Sequence, residues 1–168
     1  MKRCVEPLSV SFGKHMAEKG VYVLMIFVPS ERWIEVGKLG VHKFPGGYYA
    51  YTGSALGSGA ASLEGRISRH LRKEKRKRWH IDFLLADEDV RAVSALIIPT
   101  EKRLECEVNM YLRKAVNARI LVPNFGSSDC SEACVSHLLY LGDDRNIVDR
   151  ITGLFREKTG EVVLLEFV

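Results

Sequence analysis

No apolar run in this chain exceeds eight residues: the longest, Val21 to Val28, is well short of the ~20 residues that a membrane helix requires. Prolines are few, five in 168 residues, and no stretch is of low complexity or repeated. The first seven residues, Met1 to Pro7, contain no apolar core of a signal peptide, so the cytoplasm is the expected location and no membrane contact is expected. Only four cysteines occur, Cys4, Cys106, Cys130 and Cys134. In a reducing compartment these are expected as thiols or metal ligands rather than disulfides. A composition of 46% hydrophobic and 27% charged residues excludes collagen-like, mucin-like and wholly disordered chains. A chain of this length buries about 70% of its unfolded surface and needs no staple to fold.

Charge is scarce in one sense only. The formal net charge is +4, but eight basic residues face one acid between Arg66 and His80, a local +7. The remaining 17 basic and 20 acidic residues leave −3 elsewhere. One concentrated basic patch on a mildly acidic chain points to a polyanionic partner.

The periodicities predict a single α+β domain over 1–168. Strands are expected at Val21 to Val28, Trp33 to Val36, Val41 to Phe44 and Tyr48 to Thr52, joined as an antiparallel meander. Further strands are expected at Val90 to Ile98 and Glu161 to Val168. Helices are expected over Leu63 to Arg78, Lys102 to Val116 and Asp143 to Lys158. Cys134 to Leu141 fits either state, and residues 1–19 read as a polar lead-in.

Four groups of residues can carry chemistry. Tyr22 and Tyr51 fall on neighbouring expected strands; a strand tyrosine is most often a packing residue, but two on one face would bring their phenols together. Arg66 and His70 are four apart and share a helix face behind a glycine-rich loop, an arrangement suited to a phosphodiester. Arg69, Arg72, Lys73, Lys75, Arg76, Lys77 and Arg78 continue that helix as either a solvated face or a phosphate-binding one. Trp79 could stack on a base, though core packing suits it better. Glu105 lies on the inward stripe set by Val108 and Leu112, whereas Glu107 is turned outward; an inward acid needs a cation, a metal ion or the dipole of its helix. On a helix, Cys130, Cys134 and His137 would share a face, and with Cys106 could form a zinc site. The reading preferred to zinc is a capping box from Asp129 to Glu132 with small buried thiols.

Taken together, Gly20-Val21-Tyr22, Tyr51-Thr52-Gly53-Ser54, Arg66-Ile67 followed by His70, and a helical Glu105 resemble the GIY-YIG nuclease superfamily. The resemblance is closer to one branch, long labelled a domain of unknown function. It rests on Gly53 to Gly57, Arg66 to Leu71, Trp79 to Asp82, Glu105 to Glu107 and Phe125 to Cys130, within a region of about Gly20 to Tyr140. It implies a small antiparallel core sheet flanked by helices, with the Trp33 to Phe44 hairpin as an insertion and 141–168 as a helix-strand extension. It also implies a phosphodiester hydrolase. Tyr22 would activate water, Tyr51 would bind that water or the phosphate, and Arg66 would offset phosphoryl charge. Glu105 would hold one Mg²⁺ or Mn²⁺, and His70 would support the site. The superfamily's late asparagine corresponds here to Asn117 or Asn124. DNA is favoured over RNA as substrate, cut with structural or weak sequence selectivity in repair or recombination. A separate protein partner would supply specificity, since no base-reading element is visible. The alternative is a non-catalytic nucleic-acid-binding module, and a third reading is a domain whose basic patch binds an acidic protein. The oligomeric state is left open.

Overall fold

The computed structural model describes residues 12–128, 130–132 and 134–167. Cys4 and Asp129 lie outside the described residues. The chain forms β1 (Gly20–Val28), β2 (Arg32–Glu35), β3 (Val41–Phe44), β4 (Gly47–Ala55), α1 (Leu63–Leu71) and α2 (His80–Leu85). It continues with β5 (Arg91–Pro99), α3 (Glu105–Ala115), β6 (Leu138–Gly142), α4 (Ile147–Thr159) and β7 (Val163–Glu166). This is an α+β fold with a five-stranded antiparallel sheet in the order β6-β4-β1-β5-β7 and a separate β2-β3 hairpin.

The central strand explains its own sequence. β1 is buried along its whole length except at half-buried Phe27. Its even residues Tyr22, Leu24, Ile26 and Val28 enter one core with α1, α2 and the hairpin residue Phe44. Its odd residues Val21, Val23 and Met25 enter the other with α3 and α4. A strand covered on both faces must be apolar at every position, hence the unbroken run.

Three expectations are corrected. The first strands do not form a meander: β1 pairs directly with β4, Tyr22 opposite Gly53, and the intervening hairpin leaves the sheet. The helix expected to reach Arg78 ends at Leu71, where Arg72 is extended (φ −72°, ψ 123°). The segment Lys73 to Arg78 has no apolar side chain to bury, so further helical turns there would gain nothing from packing. Finally, Phe12, Met16 and Ala17 of the expected polar lead-in pack against the core. On α3, Asn109 is buried beside Val108 and Leu112, while Ala115 is exposed.

β6 covers β4 only from Tyr48 to Tyr51. Beyond that, Thr52 N–H still donates to the His137 carbonyl at 3.0 Å. From Gly53 onward β4 is an edge, and the functional residues gather there. Among the described residues no helix is long and apolar enough to cross a membrane.

Candidate functional site

A cleft of about 460 Å³ wraps round this edge, from α1 on one sheet face to the start of α3 on the other. Tyr22, Tyr51, Arg66 and Glu105 all line it. The register puts Tyr51 opposite Leu24, and cross-strand partners share a face, so Tyr51 lies diagonal to Tyr22 on the α1 side. Two glycines permit this. A Cβ at Gly53 would run into the Tyr22 phenol, and one at Gly126 (φ 70°) would approach the Tyr51 ring to 2.8 Å.

His70 joins the two tyrosines. Its Nε2 and the Tyr22 hydroxyl are 2.8 Å apart in a buried hydrogen bond. Its ring centroid lies 5.5 Å from that of Tyr22 and 6.0 Å from that of Tyr51. Burial, aided by the Lys75 charge, pulls His70 down to about 3, so it is neutral at physiological pH. Burial and the neighbouring Tyr51 push the Tyr22 phenol well above its ordinary value, and the Arg66 guanidinium pulls the other way without overcoming them. Tyr22 is therefore protonated at rest.

Two orphaned atoms are informative. Arg66 Nε and Glu105 Oε2 are both buried without a hydrogen-bond partner. A buried, unmatched guanidinium nitrogen and carboxylate oxygen in one cleft call for a ligand that offers an anion to the first and a cation to the second. Among the described residues Arg78 and Arg103 add positive charge to the lining; Arg103 was missed because it lies outside the dense basic run.

Three of the seven cations expected to form the nucleic-acid face are bound within the chain. Arg69 forms a two-pronged pair with buried Asp82, at 2.6 and 2.9 Å, and its guanidinium lies 4.3 Å over the Trp79 ring. Asp82 also accepts from the backbone N–H of Arg78 (2.8 Å) and Trp79 (3.0 Å). Burial raises its carboxyl, but these bonds outweigh that and hold it below the usual range. Lys73 Nζ donates to the carbonyls of Leu85, Asp87 and Val90. Lys75 Nζ donates to those of Arg69 and His70, closing the end of α1, and burial brings it down to about 8. Arg72, Arg76, Lys77 and Arg78 are exposed. Trp79 is half-buried, packed on the core while bordering the cleft. Asn117 (φ 50°) and Asn124 (φ 65°) both occupy left-handed turns, so a backbone requirement accounts for asparagine at each.

Beside the cleft, Cys106, Cys130, Cys134 and His137 bring their ligand atoms within 4.8 Å of one another. The helix on which they were to share a face does not form. The described part of 130–137 is irregular up to Leu138, where β6 begins. Loop closure, not helical spacing, assembles the cluster. Cys106 Sγ lies 2.9 Å from Cys130 Sγ and 3.5 Å from His137 Nε2. Burial pushes the thiols of Cys106 and Cys134 up. Burial also acts to raise Cys130, but bonds from the Cys106 thiol and the backbone N–H of Cys134 and Glu132 more than offset it, leaving Cys130 lowered.

The family profile described as Domain of unknown function DUF123 matches residues 21–160. Neither the curated proteins nor the solved structures include a match to this chain.

Proposed function

The chain belongs to the DUF123 family, a domain of unknown function, and we propose that its cleft is the active site of a metal-dependent endonuclease of the GIY-YIG type. The observation that carries this reading is the pair of buried orphaned atoms, Arg66 Nε and Glu105 Oε2, in a cleft lined also by Tyr22 and Tyr51. A phosphodiester satisfies the first and a hard cation the second. Glu105 would hold Mg²⁺ or Mn²⁺, which when bound polarises the phosphate and offsets charge on the leaving oxygen.

The chain's own groups divide the remaining work. Because Tyr22 is protonated at rest, it orients the attacking water by hydrogen bonding rather than acting as a standing phenolate, and the water's proton leaves to solvent in the cleft. His70, held neutral, positions the phenol through the 2.8 Å contact between its Nε2 and the Tyr22 hydroxyl. Arg66 stands beside the phenol and meets the charge that builds on the phosphoryl oxygens. Tyr51 orients the phosphate. Arg72, Arg76, Lys77 and Arg78 hold the backbone of the nucleic acid through salt-dependent contacts. DNA is the preferred substrate, cut with structural or weak sequence selectivity in repair or recombination; a separate protein partner supplies any strict specificity.

One observation favours a module that binds without cutting: Tyr22 is only 2% exposed, so water must reach its oxygen through a narrow opening. A nicking assay decides. Supercoiled plasmid and branched DNA are incubated with Mg²⁺, Mn²⁺ or EDTA, beside Glu105→Ala. Metal-dependent cutting that Glu105→Ala abolishes while DNA binding survives supports the nuclease. Binding with no cutting on either substrate supports the non-catalytic module.

A further inference from the structure

We infer that Cys106, Cys130, Cys134 and His137 form a closed tetrahedral Zn²⁺ site that locks the loop after Phe125 onto the first turn of α3. The donor set is three sulfurs and one imidazole, the soft combination that selects zinc and rejects the hard cation suited to Glu105. Four protein ligands leave no open position, so the role is structural. The 3.5 Å between Cys106 Sγ and His137 Nε2 is the separation that zinc at about 2.3 Å from sulfur and about 2.0 Å from nitrogen would impose, whereas the Cys106 and Cys130 sulfurs, 2.9 Å apart, must part to about 3.8 Å to share the ion.

Disulfide formation is the competing use of the same thiols, since Cys106 Sγ and Cys130 Sγ are 2.9 Å apart. It accounts for two of the four groups. It gives no reason for Cys134 Sγ and His137 Nε2 to converge on the same point. A metal accounts for all four.

The placement shows what the ion would do. Two ligands stand on fixed structure. Cys106 is in α3, and His137 is tied at both backbone groups, its N–H to the Phe125 carbonyl at 2.8 Å and its carbonyl to Thr52 N–H. The other two lie on the loop. The first turn of α3 has no side-chain cap, and its opening residue is Glu105, next to Cys106. Zinc would therefore fix the turn that aims Glu105 into the cleft, and would hold Gly126 against Tyr51. The inference does not depend on nuclease activity, because metal content is measured separately from cutting.

The test is elemental analysis of the full chain, purified under reducing conditions without added chelator. Cys130→Ser, Cys134→Ser and Glu105→Gln are analysed alongside, with Co²⁺ exchange as a spectroscopic probe. The expected result is one zinc per chain in the parent and in Glu105→Gln. The cobalt form shows thiolate charge-transfer bands and the visible bands of a tetrahedral ion. Each Cys→Ser variant loses more than about 100-fold in zinc affinity, beyond the loss typical of an outer-shell change. Limited proteolysis within 126–134 accelerates when zinc is removed from the parent, a readout that does not depend on whether the variants fold. The inference is overturned if the parent takes up no zinc while all its thiols remain titratable. A Cys106–Cys130 disulfide in the reduced preparation, or zinc retained unchanged in both serine variants, overturns it equally.

Discussion

The two walls of the cleft are built on opposite principles. The α1–α2 wall meets most of its polar demands from within. Asp82 takes two bonds from Arg69 and two from backbone N–H groups, Lys75 closes α1, and Lys73 gathers three carbonyls. Its buried orphans are Arg66 Nε and His70 Nδ1. The α3 wall lacks such closure. Glu105 Oε2 has no partner, the first turn of α3 has no side-chain cap, and four soft donors converge beside it. One wall is mostly completed by its own side chains but leaves a guanidinium and an imidazole nitrogen open; the other gathers ligand atoms of two kinds, a carboxylate oxygen and a cluster of soft donors. Adjacent residues on α3, Glu105 and Cys106, would serve a hard and a soft cation, so metal identity follows from donor chemistry rather than from position.

Substitutions on each wall should separate the two principles. The largest effect is expected on the α3 wall: Glu105→Gln lowers metal-dependent cleavage by about 10³-fold, as for loss of a group that stabilises developing charge, with DNA affinity nearly unchanged. Single-turnover cleavage and filter binding read the two quantities. On the opposite wall Asp82→Ala is expected to cost about 3 kcal/mol in urea unfolding, because it strands Arg69 and two backbone donors. That figure is at the low end for a broken buried pair because the Arg69 side chain is 16% exposed while that of Asp82 is fully buried.

A pH titration probes the same wall. His70 is held near 3 in the folded chain, against about 6.5 when unfolded. Between those values the unfolded state binds the proton and the folded state does not. Stability therefore falls as pH drops below about 6.5, by up to about 1.4 kcal/mol per unit from this one group. Unfolding between pH 6.5 and 5 should show that slope in the parent and lose it in His70→Gln. The smallest effect separates two cations three residues apart. Arg76→Ala should reduce the slope of log affinity against log salt by about 0.9 with stability unchanged. Lys73→Ala should leave the slope alone and destabilise the fold by about 1.5 kcal/mol, since its charged hydrogen bonds are internal. Equal salt slopes for the two variants would erase the distinction between committed and exposed cations.

Much of this architecture is legible in the sequence. The unbroken apolar run of β1 announces a strand buried on both faces, and α3 and α4 show their inward stripes at helical spacing. Tyr22, Tyr51, Arg66 and Glu105 are identifiable as chemistry-bearing residues because their types and order form a pattern. Their meeting in one cleft depends on a strand register and on two glycines that admit the rings, neither of which periodicity reports.

What the sequence by itself determined is most of the local layer: which segments are strands or helices, α2 and β6 excepted, and which side chains carry usable chemistry. Those follow from period, propensity and residue type, all properties of near neighbours. Tertiary structure alone decided three further matters. It ended α1 at Leu71, where the chain turns back and Lys75 meets the carbonyls of Arg69 and His70. It matched Arg69 to Asp82, thirteen residues away, and so removed a cation from the outward face. It also brought Cys106 to a loop that begins about 20 residues later. Each depends on how the chain closes back on itself, a relation between distant segments that no local spacing encodes.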